Sequence, residues 1–370
     1  SAAPGEFSWK AEAQQRLAQL EHGGAPPAQN GAPSAGQPGV QQPAGDVIAL
    51  IRTAETYEKE GQVRKAADAL EQALKSNPKL VPPMLKLAEL YAGPLKDKAK
   101  ALDYAKRARE LAPSDIHAAR VLGRVAFQVG NWPWAAGLLQ ESARRLPDDA
   151  QVQYDYGWAA YSIGKVPEAQ QAMQRVVELA PGTPEADDAG VFLSLTTSEA
   201  NGPSSANDAA AVLTSKPDYV PALMFKARAA AATGDLKTAE EAYSLALQRF
   251  SEFAPAQREL ADVYSADPKN ASKAYDLAMK AKKTLPDDPD LSRLIGKISY
   301  QKKDYPQAIQ VLQQSARKKP LDAEYLFYLG MAQMNGHQDV QGRQTLAQAF
   351  AAGLNGPRSD EAHAALEQEH

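Results

Sequence analysis

"AQVQYDYGWAAYSIGKVPEAQQAMQRVVELAP", Ala150 to Pro181, is the stretch on which the fold turns. Its first half is apolar and aromatic around Gly157. Its second half opens on Pro167 and runs through Ala169, Met173 and Val176 to Pro181. That spacing, with residues twelve, eight and five positions before a proline, recurs elsewhere in the chain. It returns as Ala66, Leu70, Ala73 and Pro78, as Ala135, Leu139, Ser142 and Pro147, and as Ala308, Leu312, Ser315 and Pro320. Glycines recur in the apolar half too, as Gly123, Gly296 and Gly330.

The prolines act as a ruler. Pro78, Pro113, Pro147, Pro181, Pro217, Pro286 and Pro320 are separated by 35, 34, 34, 36, 69 and 34 residues, and the long gap is two periods with Ser251 in place of a proline. A period near 34 turns one long chain into a stack of small units. Each unit reads as two amphipathic helices. A small residue at each crossing lets them approach closely, and the proline just past the second helix stops it where its carbonyls are free in any case. A hairpin of this size buries one face only, so stacking has to stabilise it.

These residues resemble the tetratricopeptide repeat, whose W-x2-L-G-x2-Y, A-x3-F and P pattern they follow in degenerate form. The resemblance implies an all-α, right-handed superhelical solenoid of about nine helix-turn-helix hairpins. The repeats are expected to begin near Val47, Val81, Ile116, Ala150, Ala186, Val220, Ala254, Pro289 and Ala323. The array spans residues 46–356, with a degenerate fifth repeat and a proline-containing turn in repeats two ("YAGPLKDKAKAL") and seven ("YSADPKNASKAY"). Residues 357–370 are expected to form a polar capping helix or tail.

The N-terminal residues differ in character. Residues 1–7 read as a vector remnant, and residues 8–21 as a short amphipathic helix with Trp9, Leu17 and Leu20 on one stripe. Residues 22–45 lack fixed charge and large apolar groups, so they read as a flexible tether. Two readings of this helix stand: a tethered pseudo-ligand for the array's own groove or for that of a second molecule, giving self-association, or a disordered terminus.

Composition narrows the function classes. A net charge of −4 and a pI near 5.8 lack the global basic field that drives non-specific DNA binding. No apolar run is long enough for a membrane span. With no cysteine the chain has no disulfide, thiol nucleophile or thiolate ligand. His22, His117, His337, His363 and His370 never fall at metal-ligand spacing, and the G-x-S-x-G, Walker and G-x-G-x-x-G patterns are missing. No cofactor or metal is expected, and no enzyme activity. The acid pairs Asp148/Asp149 and Asp287/Asp288 stand just before helices, where aspartate caps free amides.

In tetratricopeptide arrays the first helix of each repeat lines the concave face. Carried over by register, the candidate groove residues are His117, Arg120, Arg124 and Phe127 in repeat three, then Tyr154, Trp158 and Tyr161 in repeat four. Further along come Met224 and Arg228, Arg258 and Asp262, Arg293, Lys297 and Tyr300, then Phe327, Met331 and Met334. Such a groove is expected to be basic and aromatic, and two readings of the stripe compete: its aromatics pack against the next repeat and its arginines pair with neighbouring acids, or both converge on an extended peptide or an amphipathic helix. A chaperone-tail clamp is not carried over, because Ile51 and Glu55 stand where its lysine and asparagine set would be.

The expected function is a scaffold or adaptor within a larger assembly. The alanine-rich repeats and Pro/Gln/Ala tether are similar to arrays of bacterial envelope, secretion and polysaccharide-export systems, which favours an extracytoplasmic setting. Two alternatives are a substrate-recruiting region of a longer enzyme and a groove for anionic glycan or RNA. The pair Trp132 and Trp134 in "GNWPWAAGLL" divides into a core anchor and a tryptophan on the solvent side.

Overall fold

Helix boundaries follow the punctuation of the sequence. In the computed structural model, which describes residues 44–197 and 203–367, every regular element is a helix. The nine pairs are Ala44–Lys59 and Val63–Ser76, Val81–Ala92 and Lys98–Leu111, Ile116–Gln128 and Trp132–Arg145, Ala150–Ser162 and Val166–Leu179, Pro184–Thr196 and Pro203–Ser215, Val220–Ala232 and Leu236–Arg249, Ala254–Ser265 and Ala271–Thr284, Pro289–Gln301 and Tyr305–Lys318, and Ala323–Asn335 and Asp339–Ala351. Pro357–Glu367 follows them. The first helices start within three residues of the positions expected from the period. The remnant, the amphipathic stretch with Trp9, Leu17 and Leu20, and nearly all of the tether lie outside the described residues. The first helix begins at Ala44, inside the stretch 22–45 expected to be a tether, with Asp46 in its positively polarised first turn.

Local chemistry explains the starts and turns. Asp97, Asp115, Asn131, Asp235, Asp288, Asp304 and Asp322 each accept a backbone amide at the head of a helix. Asp149 accepts the amide of Val152 at 3.0 Å, so Asp149 and Asp288 act as the caps read from sequence. Their neighbours Asp148 and Asp287 meet Arg175 and Lys318 instead. In repeats one, three, four and six the turn between the two helices holds a glycine at positive φ: Gly61, Gly130, Gly164 and Gly234. Lys303 and His337 adopt the same left-handed conformation in repeats eight and nine.

Packing uses the glycines as crossings. A Cβ on Gly123 would lie 2.7 Å from Leu139 Cγ, and one on Gly296 would lie 2.4 Å from Leu312 Cγ. Gly157 meets Met173 and Gly330 meets Leu346 in the same register. Leu139, Met173, Leu312 and Leu346 are all buried. Each such burial contributes about 1.5–3 kcal/mol. Two compact units result, one from the segment ending at Ala160 together with Gln171–Ala189, the other from Tyr161–Gln170 together with the segment from Gly190 onward. Within each, second helices pack on the next repeat's first helix, and first helices neighbour one another.

The tryptophans divide as follows. Trp132 opens the second helix of repeat three, is buried, and meets the edge of Phe127 with centroids 5.0 Å apart. Trp134 is half-buried rather than solvent-facing. It packs on the core of the preceding repeats, with Lys106 Nζ 5.5 Å from its ring.

Candidate functional site

First-helix side chains of repeats two to five build one continuous set in the first unit. Arg120 Nε donates to Asp155 Oδ2 at 3.2 Å, and Arg124 lies 3.7 Å from both Glu89 and Asp155. Asp155 is the buried hinge of this network, only 11% exposed, while Arg124 and Glu89 are 41% and 43% exposed. Tyr154 donates its hydroxyl to Asp188 at 2.9 Å and stands edge-on to Trp158 at 6.5 Å. Burial, and then the Asp188 charge, push the Tyr154 phenol up, so it stays a neutral donor. His117 and Phe127 are half-buried on the same stripe.

In the second unit, Arg228 grips Glu259 with contacts of 3.0–3.2 Å, and Tyr243 donates to the same carboxylate at 2.6 Å. Arg258 donates to Asp288 at 2.9 Å. Lys297 sits 3.6 Å from Asp262 and 3.8 Å from Glu324. A cavity of about 350 Å³ opens here, lined by Arg228, Tyr243, Arg258, Glu259, Asp262 and Tyr325 among others. Burial raises the Tyr325 phenol, helped by Asp262, Glu324 and Asp322, while Arg293 opposes them. The wall is therefore zwitterionic.

A tetratricopeptide repeat profile matches residues 51–116, 120–184, 200–255 and 260–323. The chain belongs to the tetratricopeptide repeat family. Solved structures like it include a tetratricopeptide repeat protein from Parabacteroides merdae, 13% identical over 78% of this chain and 99% of that one, with a TM-score of 0.36. MamA from Desulfovibrio magneticus is 17% identical over 47% and 97% of the two chains, with a TM-score of 0.39. The P58(IPK) tetratricopeptide domain is 14% identical over 79% and 99%, with a TM-score of 0.35. No curated protein matches the chain.

The structure sorts the residues expected on the first-helix stripe by burial and by partner. Tyr161, Met224, Phe327 and Met331 are core, not groove wall. Tyr161 is enclosed by Phe192, Phe250 and Phe253, with its closest ring centroid 4.8 Å away. Arg293 is a buried strut. It donates to the carbonyls of Lys319 and Pro320 and to Asp290, holding the end of repeat eight's second helix. Tyr300 and Met334 are half-buried, and the Tyr300 hydroxyl donates to Glu361 at 3.0 Å. The expected basic groove is corrected as well, since Arg120, Arg124, Arg228, Arg258 and Lys297 each face an acid.

Sequence reading passed over Glu89, Asp155, Glu259 and Tyr243. A usable signal existed, because Glu89 precedes Arg124 by 35 residues, Arg120 precedes Asp155 by 35 and Arg228 precedes Glu259 by 31, each about one repeat. Among the described residues, no three histidines or carboxylates are grouped to hold a metal ion, and no helix is long and apolar enough to cross a membrane.

Proposed function

We propose that this chain is a non-enzymatic scaffold that binds protein or peptide partners along its first-helix face, as part of a larger assembly of the bacterial envelope, secretion or polysaccharide-export kind. The observation behind this is the ion pair of Arg124 and Glu89, held at 3.7 Å instead of being closed into a hydrogen bond, on the stripe that also carries the part-exposed His117 and Trp158. Groups placed in this way offer a partner both a carboxylate and a guanidinium beside aromatic area, the mixture from which interface hot spots are made. An RNA or anionic-glycan groove is not favoured, because its cations already face acids. An extracytoplasmic setting, and self-association through residues 8–21, belong to the same proposal.

The test is an affinity pull-down with the intact chain beside an Arg124→Ala/Trp158→Ala double variant whose circular dichroism and melting match the parent. Partners recovered by the parent and lost by the variant support this face. Recovery of the same partners by both would place binding elsewhere.

A further inference from the structure

A longer repeat runs beneath the 34-residue period. Tyr264 follows Tyr91 by 173 residues, and at that same offset Lys100 meets Lys273, Gly123 meets Gly296, Pro133 meets Pro306, Ser142 meets Ser315 and Gly157 meets Gly330, with no insertion or deletion between them. The proline-containing turns of repeats two and seven start in the same frame, with their prolines, Pro94 and Pro268, one residue out of step. Pro357–Glu367 also begins 173 residues after Pro184–Thr196, and Ala362 and Ala189 are both fully buried. The last helix is thus the register equivalent of repeat five's first helix.

Contacts repeat along with the sequence. Glu89 faces Arg124 at 3.7 Å in the first unit, and their equivalents Asp262 and Lys297 stand 3.6 Å apart in the second. Phe127 contacts Trp132 at 5.0 Å, as Tyr300 contacts Tyr305 at 6.0 Å. The acids Asp188 and Glu361 are also equivalent in position, but their tyrosine donors differ: Tyr154 of repeat four at 2.9 Å and Tyr300 of repeat eight at 3.0 Å. Each acid and base pair bridges neighbouring first helices at a separation too long for a hydrogen bond, and the acids are 43% and 63% exposed. Arg124 is 41% exposed, so parting its pair with Glu89 costs little, whereas Lys297 is only 11% exposed and keeps Glu324 at 3.8 Å when Asp262 moves away. Parting either pair leaves a carboxylate and a cation on adjacent helices, roughly 8–10 Å apart axis to axis.

We infer that the array is two copies of one five-repeat module, and that each copy seats a protein segment of the same chemistry. That segment places a cationic side chain on Glu89 or Asp262, a carboxylate on Arg124 or Lys297, and apolar area against Phe127 or Tyr300. This rests on the first-helix face being the binding face. The copies have diverged, since Arg293 is buried where Arg120 faces Asp155, so the two seats bind with different affinity.

The probe is a short peptide selected from a phage-displayed random library on the intact chain, titrated calorimetrically. Two peptides are expected per chain, falling to one in Glu89→Gln/Arg124→Gln and to one in Asp262→Asn/Lys297→Gln, with circular dichroism unchanged in both. One peptide per chain, removed by one paired variant and untouched by the other, overturns the two seats and leaves the binding face standing. Selection of no peptide, or binding that neither variant alters, overturns both.

Discussion

Replacing one glycine at a time by alanine separates close helix crossing from helix propensity, and three positions have different expected signs. At Gly296 the new Cβ would sit 2.4 Å from Leu312 Cγ and 2.6 Å from its Cδ2, in a fully buried site. Ordinary carbon contacts are about 3.5–4.0 Å, so the two helices or the leucine must shift by about 1 Å. Overpacking of that kind costs about 1–3 kcal/mol, against about 1 kcal/mol gained from propensity. The contact is near the severe end, so Gly296→Ala is expected to destabilise by about 1–2 kcal/mol. At Gly157 the nearest atom is the mobile Cε of Met173 at 2.9 Å, and the flexible thioether can move aside, leaving a change near zero. Gly137 lies mid-helix with nothing within 4 Å of a new Cβ. Gly137→Ala should therefore stabilise by up to about 1 kcal/mol. Repeat arrays need not unfold in one step, so urea denaturation by circular dichroism should be paired with hydrogen exchange resolved to repeats three, four and eight. A double-mutant cycle adds the partner: Leu312→Ala should cost less in the Gly296→Ala background than in the parent. A Gly296→Ala protein as stable as the parent, or a destabilised Gly137→Ala, would refute the crossing geometry.

Other expectations concern the tryptophans and the titrating groups. Trp132→Ala should cost about 3–5 kcal/mol, as for a buried aromatic, and Trp134→Ala about 1–2 kcal/mol; equal losses in thermal unfolding would contradict the split. Burial pulls the Glu71 carboxyl up, but hydrogen bonds from Tyr91, Lys100 and Tyr104 and the Lys100 charge hold it below its ordinary 4.5. Its contribution is therefore full above that pH and lost as pH falls through the lower folded value, so the stability gap between parent and Glu71→Gln should close in acid. A gap independent of pH counts against the cluster. Burial raises Tyr104 and Tyr264 to about 12, aided by Glu71 and Glu240 respectively. Proton binding by the folded state then stabilises up to the ordinary tyrosine value of 10 and fades toward 12, so phenolate absorbance in an alkaline titration should lag until the chain unfolds.

The fold was legible because its two strongest constraints have sequence signatures. Prolines past seven of the nine second helices and glycines at four of the crossings sit at fixed offsets, and the structure places Gly123, Gly157, Gly296 and Gly330 against the side chains that those offsets select. The candidate site was legible as a face but not as a residue list. Periodicity says which way Tyr161 or Phe327 points, yet whether that direction ends in solvent or in Phe192 and Phe253 depends on side chains up to 92 residues away. Charge follows the same rule. That arginines on this stripe pair with acids can be read from the sequence, but which acids cannot, because Glu89 for Arg124 and Asp288 for Arg258 lie about one repeat off, outside any local window.

The glycine crossings join the two helices of one hairpin, so they do not say which hairpin docks on which. A hairpin docking one place out of step, or borrowed from a second chain during folding, would keep its own glycine against its own leucine or methionine. The cross-repeat polar contacts change along the first unit. Repeat two gives an acid to a base of repeat three, repeat three a base to an acid of repeat four, and repeat four a phenol to an acid of repeat five. Slipping the order would set like charges or unmatched carboxylates face to face. These weak pairs thus act as a checksum on assembly, rejecting permutations that the apolar packing alone would let through.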